Sequence, residues 1–311
     1  MNLKLDTPLK QFLTLIALAT IWGSSFILMK RGLDSFSAEN VAQYRLFVSF
    51  LCLLPIAWVN RKSFPRKRRY VGGLIIVGLF GNLMPAFLFA VAQTKLPSGV
   101  AGMINSLVPI FTLLIGVFVF RLKPVIYQVI GVFIGFIGAV LLIYGSQSSV
   151  YQDVPMAYPL MIVAATVCYA ISVNTIKHVL TDLPALQITS FSFLLIGPFV
   201  TYGLVDRGFW TTALSTTQGL QSLGYITLLG FLGTAIALLI FNQLIKYSSA
   251  LFASSVTYMI PIVATVWGLL DGEQFSIWHA LGMISILLGV YMVNVYSKRR
   301  ENHSMGAHKK T

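Results

Sequence analysis

The chain reads as an all-α integral membrane protein of ten transmembrane helices, arranged as two inverted five-helix repeats. Three observations predict this: an apolar composition cut into ten stretches of spanning length, a one-sided distribution of Lys and Arg, and an overlay of one half of the sequence on the other. Of 311 residues, 57% are hydrophobic and 10% charged, where a soluble domain carries about 25% charged. An apolar run of about 20 residues crosses the roughly 30 Å hydrocarbon core as a helix. Such runs fall at 12–29, 40–59, 71–92, 98–120, 124–144, 158–179, 185–204, 223–245, 250–270 and 277–296. The short connections between them leave no room for a soluble catalytic domain.

Each stretch has a reason to be a span. The first follows MNLKLDTPLKQ and continues through Trp22 to Met29, longer than the 7–15 residues of a secretory signal core, so it is read as a retained helix. The second carries Arg45, the one formally charged side chain away from the end of a span, Lys177 falling at the last turn of the sixth. At mid-helix such a residue costs about 2.5–3.5 kcal/mol on insertion scales, so it needs a partner or water. It either snorkels outward or pairs with Glu39, or it contacts a carboxylate or phosphate at a cavity edge. The third and fourth spans hold Asn82, then Asn105, Ser106 and Pro109. In the fifth, Gly131, Gly135 and Gly138 form a small-residue face for close helix packing. The sixth holds Tyr169, Ser172 and Asn174, the eighth Asn242 and Gln243, and the ninth Thr257, Tyr258 and Pro261. Pro85 and Pro198 read as simple kinks. Cys52 and Cys168 lie within apolar spans and read as packed thiols.

The net charge of +13 belongs to topology rather than to nucleic acid. With both termini cytoplasmic, 17 of the 22 Lys and Arg residues fall on the cytoplasmic side, including the run Arg61–Arg69 and the tail Lys298–Arg300. Only Lys30, Arg31, Lys95 and Arg207 fall opposite. This is a strong positive-inside bias, and the basic runs meet lipid headgroups.

The overlay is gapless over a long segment. Residues 81–112 align on 233–264, placing Gly81 on Gly233, Phe89 on Phe241, and Val108-Pro109-Ile110 on Ile260-Pro261-Ile262. With a shift of one residue, Gly131 meets Gly282 and Gly138 meets Gly289. An odd number of spans per half forces the second half to sit inverted, the plan of alternating-access carriers. The repeats are 1–148 and 149–311, in a single membrane domain, with the joint in the turn-rich segment Tyr144–Pro159.

Trp22-Gly23-Ser24-Ser25-Phe26, Tyr44-Arg45-Leu46-Phe47, and the second-half series Pro261, Gly272-Glu273, Gly282 and Gly289 resemble the EamA-type transporters of the drug/metabolite transporter superfamily. The loop Arg121-Leu122-Lys123 departs from that pattern, which usually has an acidic residue there. The resemblance implies a ten-helix exporter or exchanger of small metabolites, amino acids or drugs, with a cavity lined mainly by helices 1, 3, 4, 6, 8 and 9.

The polar middles of those helices supply candidate substrate contacts: Trp22, Ser24, Asn82, Asn105, Tyr169, Asn174, Asn242 and Tyr258, with Arg45 as a possible charge contact. Taken singly, each is better explained by an interhelical hydrogen bond. Together they suit a neutral, zwitterionic or aromatic metabolite, and suit a highly phosphorylated one poorly. Pro109 and Pro261 each delete a backbone donor mid-helix and read as paired bends or hinges. No Asp or Glu lies within a span, so the expected mode is exchange or facilitated diffusion, or coupling through rim groups such as Glu39 or Glu273. No HExxH, Walker loop or Cys/His cluster suggests an enzyme, metal or cofactor. The expectation is a monomeric secondary transporter of the bacterial inner membrane. Its partners are a small-molecule substrate and lipid, and a passive channel or a membrane scaffold is the alternative.

Overall fold

The computed structural model describes residues 5–96, 98–145, 155–203, 207–270 and 277–292, the last stretch without 279, 283 and 290. The joint between the halves, Gly272-Glu273 and the basic tail therefore lie largely or wholly outside the described residues. Every regular element among the described residues is helical. In order these are α1 (Pro8–Leu33), α2 (Ala38–Val59), α3 (Arg68–Ala92), α4 (Ser98–Asn105), α5 (Val108–Phe118) and α6 (Ile126–Gly145). There follow α7 (Ala157–His178), α8 (Ala185–Gly203), the short α9 (Arg207–Ser215), α10 (Thr217–Tyr247), α11 (Ala250–Ser254), α12 (Val256–Leu270) and α13 (Ala280–Gly289). Six helices, α1, α2, α3, α7, α8 and α10, are long and apolar enough to cross a membrane. The other four expected spans coincide with shorter or interrupted apolar stretches.

Local chemistry sets the ends. Thr7, Ser37, Thr216 and Ser249 sit at N-caps and accept from Lys10, Asn40, Gly219 and Phe252 backbone N–H groups, satisfying donors that no helical carbonyl can reach. At the end of α5, Leu122 N–H closes on the Gly116 carbonyl at 3.0 Å with Arg121 at φ 53°. This is the left-handed stop usually taken by glycine.

Two interruptions are shared by the halves. In α3, Leu79–Leu83 forms a π-turn, and in α10 Phe231–Ile236 does the same. Their starts coincide under the overlay that places Gly81 on Gly233. In α3 the turn precedes Pro85, which has no N–H to give the carbonyl four residues back. The prolines at 109 and 261 behave less alike than the sequence suggests. Pro109 lies in the first turn of α5, after the helix has broken at Ser106-Leu107. There the missing donor costs nothing. Pro261 stands inside α12. What the two share is the carbonyl each leaves without a helical donor, Asn105 in one half and Thr257 in the other. Ser106 Oγ lies 3.4 Å from the Thr257 carbonyl, across the crossing of the two broken helices.

Packing is closest where glycines meet backbone. A Cβ on Gly138 would stand 2.7 Å from the Gly282 carbonyl, and one on Gly289 would stand 2.5 Å from the Gly131 carbonyl. Thus α6 and α13 cross antiparallel through small residues, as the glycine face of the fifth span leads one to expect. Gly78 and Gly230, equivalent in the overlay, press on α8 at Ser192 and on α2 at Arg45 respectively. Buried apolar side chains gather into two clusters, and Trp22 packs against both. Outside them, large apolar residues such as Trp58, Phe133, Leu160, Phe199 and Leu288 are exposed, the surface of a membrane protein.

Gly138→Leu should cost about 1–3 kcal/mol through overpacking at the α6–α13 crossing, read as a lower melting temperature in detergent. Gly224→Ala, where a Cβ meets nothing within 4 Å, is the control. Equal melting of the two variants would contradict the crossing.

Candidate functional site

A cavity of about 110 Å³ lies where the two apolar clusters meet, room for a small organic molecule rather than a single water. Its walls come from α1, α3, α4, α5, α7, α10, α11 and α12, the elements of the expected cavity helices, with Arg45 and Leu46 of α2 and Thr189 of α8 added. Of the residues singled out in the sequence, Trp22, Arg45, Asn82, Asn105, Tyr169 and Asn242 line it. Ser24, Asn174, Tyr258, Pro109 and Pro261 do not.

Each of these last has a visible occupation or place. Ser24 Oγ accepts from Trp267 Nε1 at 3.0 Å on an exposed face. Asn174 donates to the carbonyls of Thr112 and Ala170 and faces a second cavity, beside Lys123, Lys177 and His178. Tyr258 is fully buried, gives its hydroxyl to the Val132 carbonyl, and lies against Gly135 of α6. Pro109 and Pro261 lie behind cavity residues, freeing the carbonyls of Asn105 and Thr257.

The wall is built of pairs. One constant offset carries Trp22 to Tyr169, Ser25 to Ser172 and Met29 to Ile176. The overlay offset carries Gly81 to Gly233, Asn82 to Thr234, Phe89 to Phe241, Asn105 to Thr257 and Val108 to Ile260. All of these residues line the cavity. Their contacts pair as well. Trp22 meets Phe241 edge-on at 5.0 Å between ring centroids, and Tyr169 meets Phe89 at 6.0 Å. A Cβ on Gly81 would strike Ser172 Oγ at 2.4 Å, and one on Gly233 would strike Ser25 Oγ at 2.6 Å. Trp22 is further pinned by Nε1 donating to the Gly233 carbonyl at 2.9 Å.

Polar groups break the symmetry. Arg45 does not reach Glu39. Its Nε and Nη2 donate to Thr234 Oγ1 at 3.3 and 3.1 Å, and no carboxylate lies within ion-pair distance of it among the described residues. The guanidinium is thus positioned by a neutral hydroxyl, and its charge is uncompensated within a largely apolar body. The residue matching Arg45 in the other half is Ser192, whose hydroxyl is spent on the Ile188 carbonyl. Asn242 donates to Thr189 Oγ1 at 2.8 Å, joining α10 to α8. Asn82 Oδ1 and Asn105 Oδ1 are buried and accept nothing among the described residues. Sequence reasoning missed Thr234, Phe89 and Phe241. The overlay already carried a signal for them, because Thr234 falls on Asn82 and the two phenylalanines fall on each other.

At the ends of α7 and α10, two lysines bond the neighbouring helix end reciprocally. Lys177 of α7 donates to the carbonyls of Ile245 and Ser248 at the end of α10, and Lys246 of α10 donates to those of Leu180 and Thr181 beyond α7. Cations at helix C-termini complement the exposed carbonyls. The residue matching Lys177 in the first half is Lys30, which is exposed.

Comparison with known proteins decides the family. The EamA-like transporter family matches twice, at residues 9–144 and 156–295. The chain belongs to the EamA-like transporter family. It is 26% identical over 290 residues to the uncharacterized inner membrane transporter YedA of Escherichia coli K12, covering 90% of this chain and 92% of that one. It is 24% identical to an uncharacterized transporter of Archaeoglobus fulgidus, covering 92% and 99%. A probable amino-acid metabolite efflux pump of Salmonella typhimurium is 26% identical, covering 93% and 95%. A solved crystal structure superposes with a TM-score of 0.70 at 17% identity, covering 92% of this chain and 97% of the other, a likeness of fold. This EamA-like protein is therefore a membrane transporter by family.

Thr234→Val keeps shape and removes the acceptor of both Arg45 bonds. It should destabilise the protein by about 1.5–3 kcal/mol, the worth of hydrogen bonds to a charged group, while Thr234→Ser stays close to the parent. Thermal unfolding of the purified proteins checks this.

Proposed function

We propose that the chain is a secondary exporter or exchanger of the inner membrane that crosses it ten times as two inverted five-helix repeats, with both termini cytoplasmic, and moves small metabolites by alternating access. The substrates are amino acids or other neutral, zwitterionic or aromatic compounds carrying a carboxylate. Arg45 carries this reading: a guanidinium held by a neutral hydroxyl inside a cavity with no acid among the described residues of its wall. Its natural complement is an oxyanion brought by the ligand. The aromatic residues Trp22, Phe26, Phe89, Tyr169 and Phe241 take the apolar part of the substrate. Asn82, Asn105 and Asn242 meet its polar part.

Several observations support the inversion. The separate family match to each half is what a duplication would give. The glycine pairs Gly131–Gly289 and Gly138–Gly282 exchange under the overlay, and they do so along antiparallel helices. A two-fold axis that relates antiparallel helices lies across them, which in a membrane is the axis of inverted repeats. Paired cavity walls then offer two near-equivalent packings, one open to each side. The lysine lock closes the cytoplasmic mouth in this one, while Lys30 is the matching latch for the other side.

The test is counterflow in proteoliposomes with a panel of labelled amino acids and metabolites. Saturable, competed uptake is expected for at least one carboxylate-bearing compound, lost at least tenfold in Arg45→Gln. Linear flux without competition would indicate a channel, and no flux for any compound a scaffold. With no carboxylate on the cavity wall, counterflow should persist when a protonophore collapses the proton gradient at fixed voltage. Abolition would show that a proton is coupled after all.

The lock has its own readout. In a background lacking Cys52 and Cys168, a cysteine placed at Ile176 should react several-fold faster with an impermeant thiol reagent from the cytoplasmic side once Lys177 and Lys246 are both changed to Met. An unchanged rate would remove the lysines from gating.

A further inference from the structure

The two π-turns do chemically different things at equivalent positions. In α10, the Thr234 hydroxyl donates back to the Leu229 carbonyl at 3.2 Å and accepts from two Arg45 nitrogens. A hydroxyl has one proton and two lone pairs, so Thr234 is fully used. In α3, Asn82 Nδ2 donates back to the Val77 carbonyl at 3.0 Å, the same five-residue reach. That bond fixes the amide orientation, since a flip would set two acceptor oxygens against each other. Asn82 Oδ1 is left accepting nothing among the described residues, in a cavity-lining residue only 7% exposed. Asn105 Oδ1, in a residue 4% exposed on the same cavity, also accepts nothing among the described residues. Two buried acceptors without donors are costly, at about 1–3 kcal/mol each, unless something in the cavity donates to them.

We infer that Asn82 and Asn105 form an ammonium pole that complements the carboxylate pole at Arg45, so that the site selects α-amino acids over acids or amines lacking one of the two groups. This rests on the transport reading above and adds its specificity determinants. Thr234 is a positioning residue, acting through Arg45. Asn82 is the direct contact: its oxygen accepts from an N–H that a plain carboxylic acid does not possess. The apolar wall between the poles takes the side chain. A site whose buried polar groups are left unpaired by an analogue rejects that analogue far more strongly than an apolar pocket rejects a size change. Water is the competing occupant, and it would satisfy the same oxygens without discriminating between ligands.

Equilibrium affinities of the purified full-length protein for L-phenylalanine, 3-phenylpropionate and phenethylamine separate these cases. The wild type should bind phenylalanine at least tenfold more tightly than either analogue. In Asn82→Leu, phenylalanine and 3-phenylpropionate should come within about twofold of each other, with the 3-phenylpropionate affinity kept. Asn82→Asp should gain affinity for phenethylamine. Asn105→Leu gives an independent reading should Asn82→Leu fail to fold. A wild type that binds 3-phenylpropionate as tightly as phenylalanine, or a preference for phenylalanine that survives substitution at both asparagines, would overturn the ammonium pole and leave the transport reading intact. Binding of none of the three compounds would count against both.

Discussion

The bond between Arg45 and Thr234 sets the terms for the rest of the molecule. A guanidinium keeps its charge at neutral pH and is costly in a hydrocarbon surrounding. Among the described residues it is neither paired with an acid nor turned out to the surface, but held by two hydrogen bonds to one hydroxyl from the other half of the chain. The hydroxyl can accept both only because its own proton is directed to a carbonyl of the π-turn. Backbone irregularity, a neutral side chain and a buried charge thus form one unit. Irregular backbone in a membrane protein is tolerated where it lines a cavity, and both π-turns and both helix breaks lie against this one.

The second constraint is close approach. Gly81, Gly233, Gly78, Gly230, Gly138 and Gly289 each bring a helix within a distance that a Cβ would occupy. These contacts recur in both halves, so under the proposed alternating access a change that loosens one crossing would leave an equivalent crossing to tighten. That is the condition under which small movements become a switch between two packings rather than a continuous drift. The reciprocal lysine bonds between the ends of α7 and α10 and the exposed Lys30 at the matching position fit such a switch.

Much of this was legible in the sequence, for physical reasons. Apolar length and the glycine face of the fifth span are one-dimensional signals, and the helices and the α6–α13 crossing follow them. The family resemblance implied the cavity helices, and residues paired by the overlay, such as Phe89 and Phe241, both line the cavity. The partner of Arg45 was not legible, because a hydroxyl far along the chain leaves no local mark. Asn174 and Tyr258 belong to cavity helices yet face neighbours. A helix that is apolar on all sides shows no amphipathic stripe by which to choose a face, so Thr257 and Tyr258, adjacent in sequence, cannot be told apart without the fold. The prolines misled in a similar way. Equivalent positions in the sequence became a helix start in one half and a helix interior in the other, because the chain broke at Ser106-Leu107 in α4–α5 and at Ser255 before α12.

The most direct measurement of the central claim, a ligand held between Arg45 and an aromatic wall at the interface of two inverted halves, is a structure of the protein with 4-iodophenylalanine, using the anomalous signal of iodine. The account predicts an iodine peak among Trp22, Phe89 and Phe241 with the ligand carboxylate on Arg45. A peak on the lipid-facing surface or in the Asn174 cavity, with the guanidinium still bound only to Thr234, would contradict it.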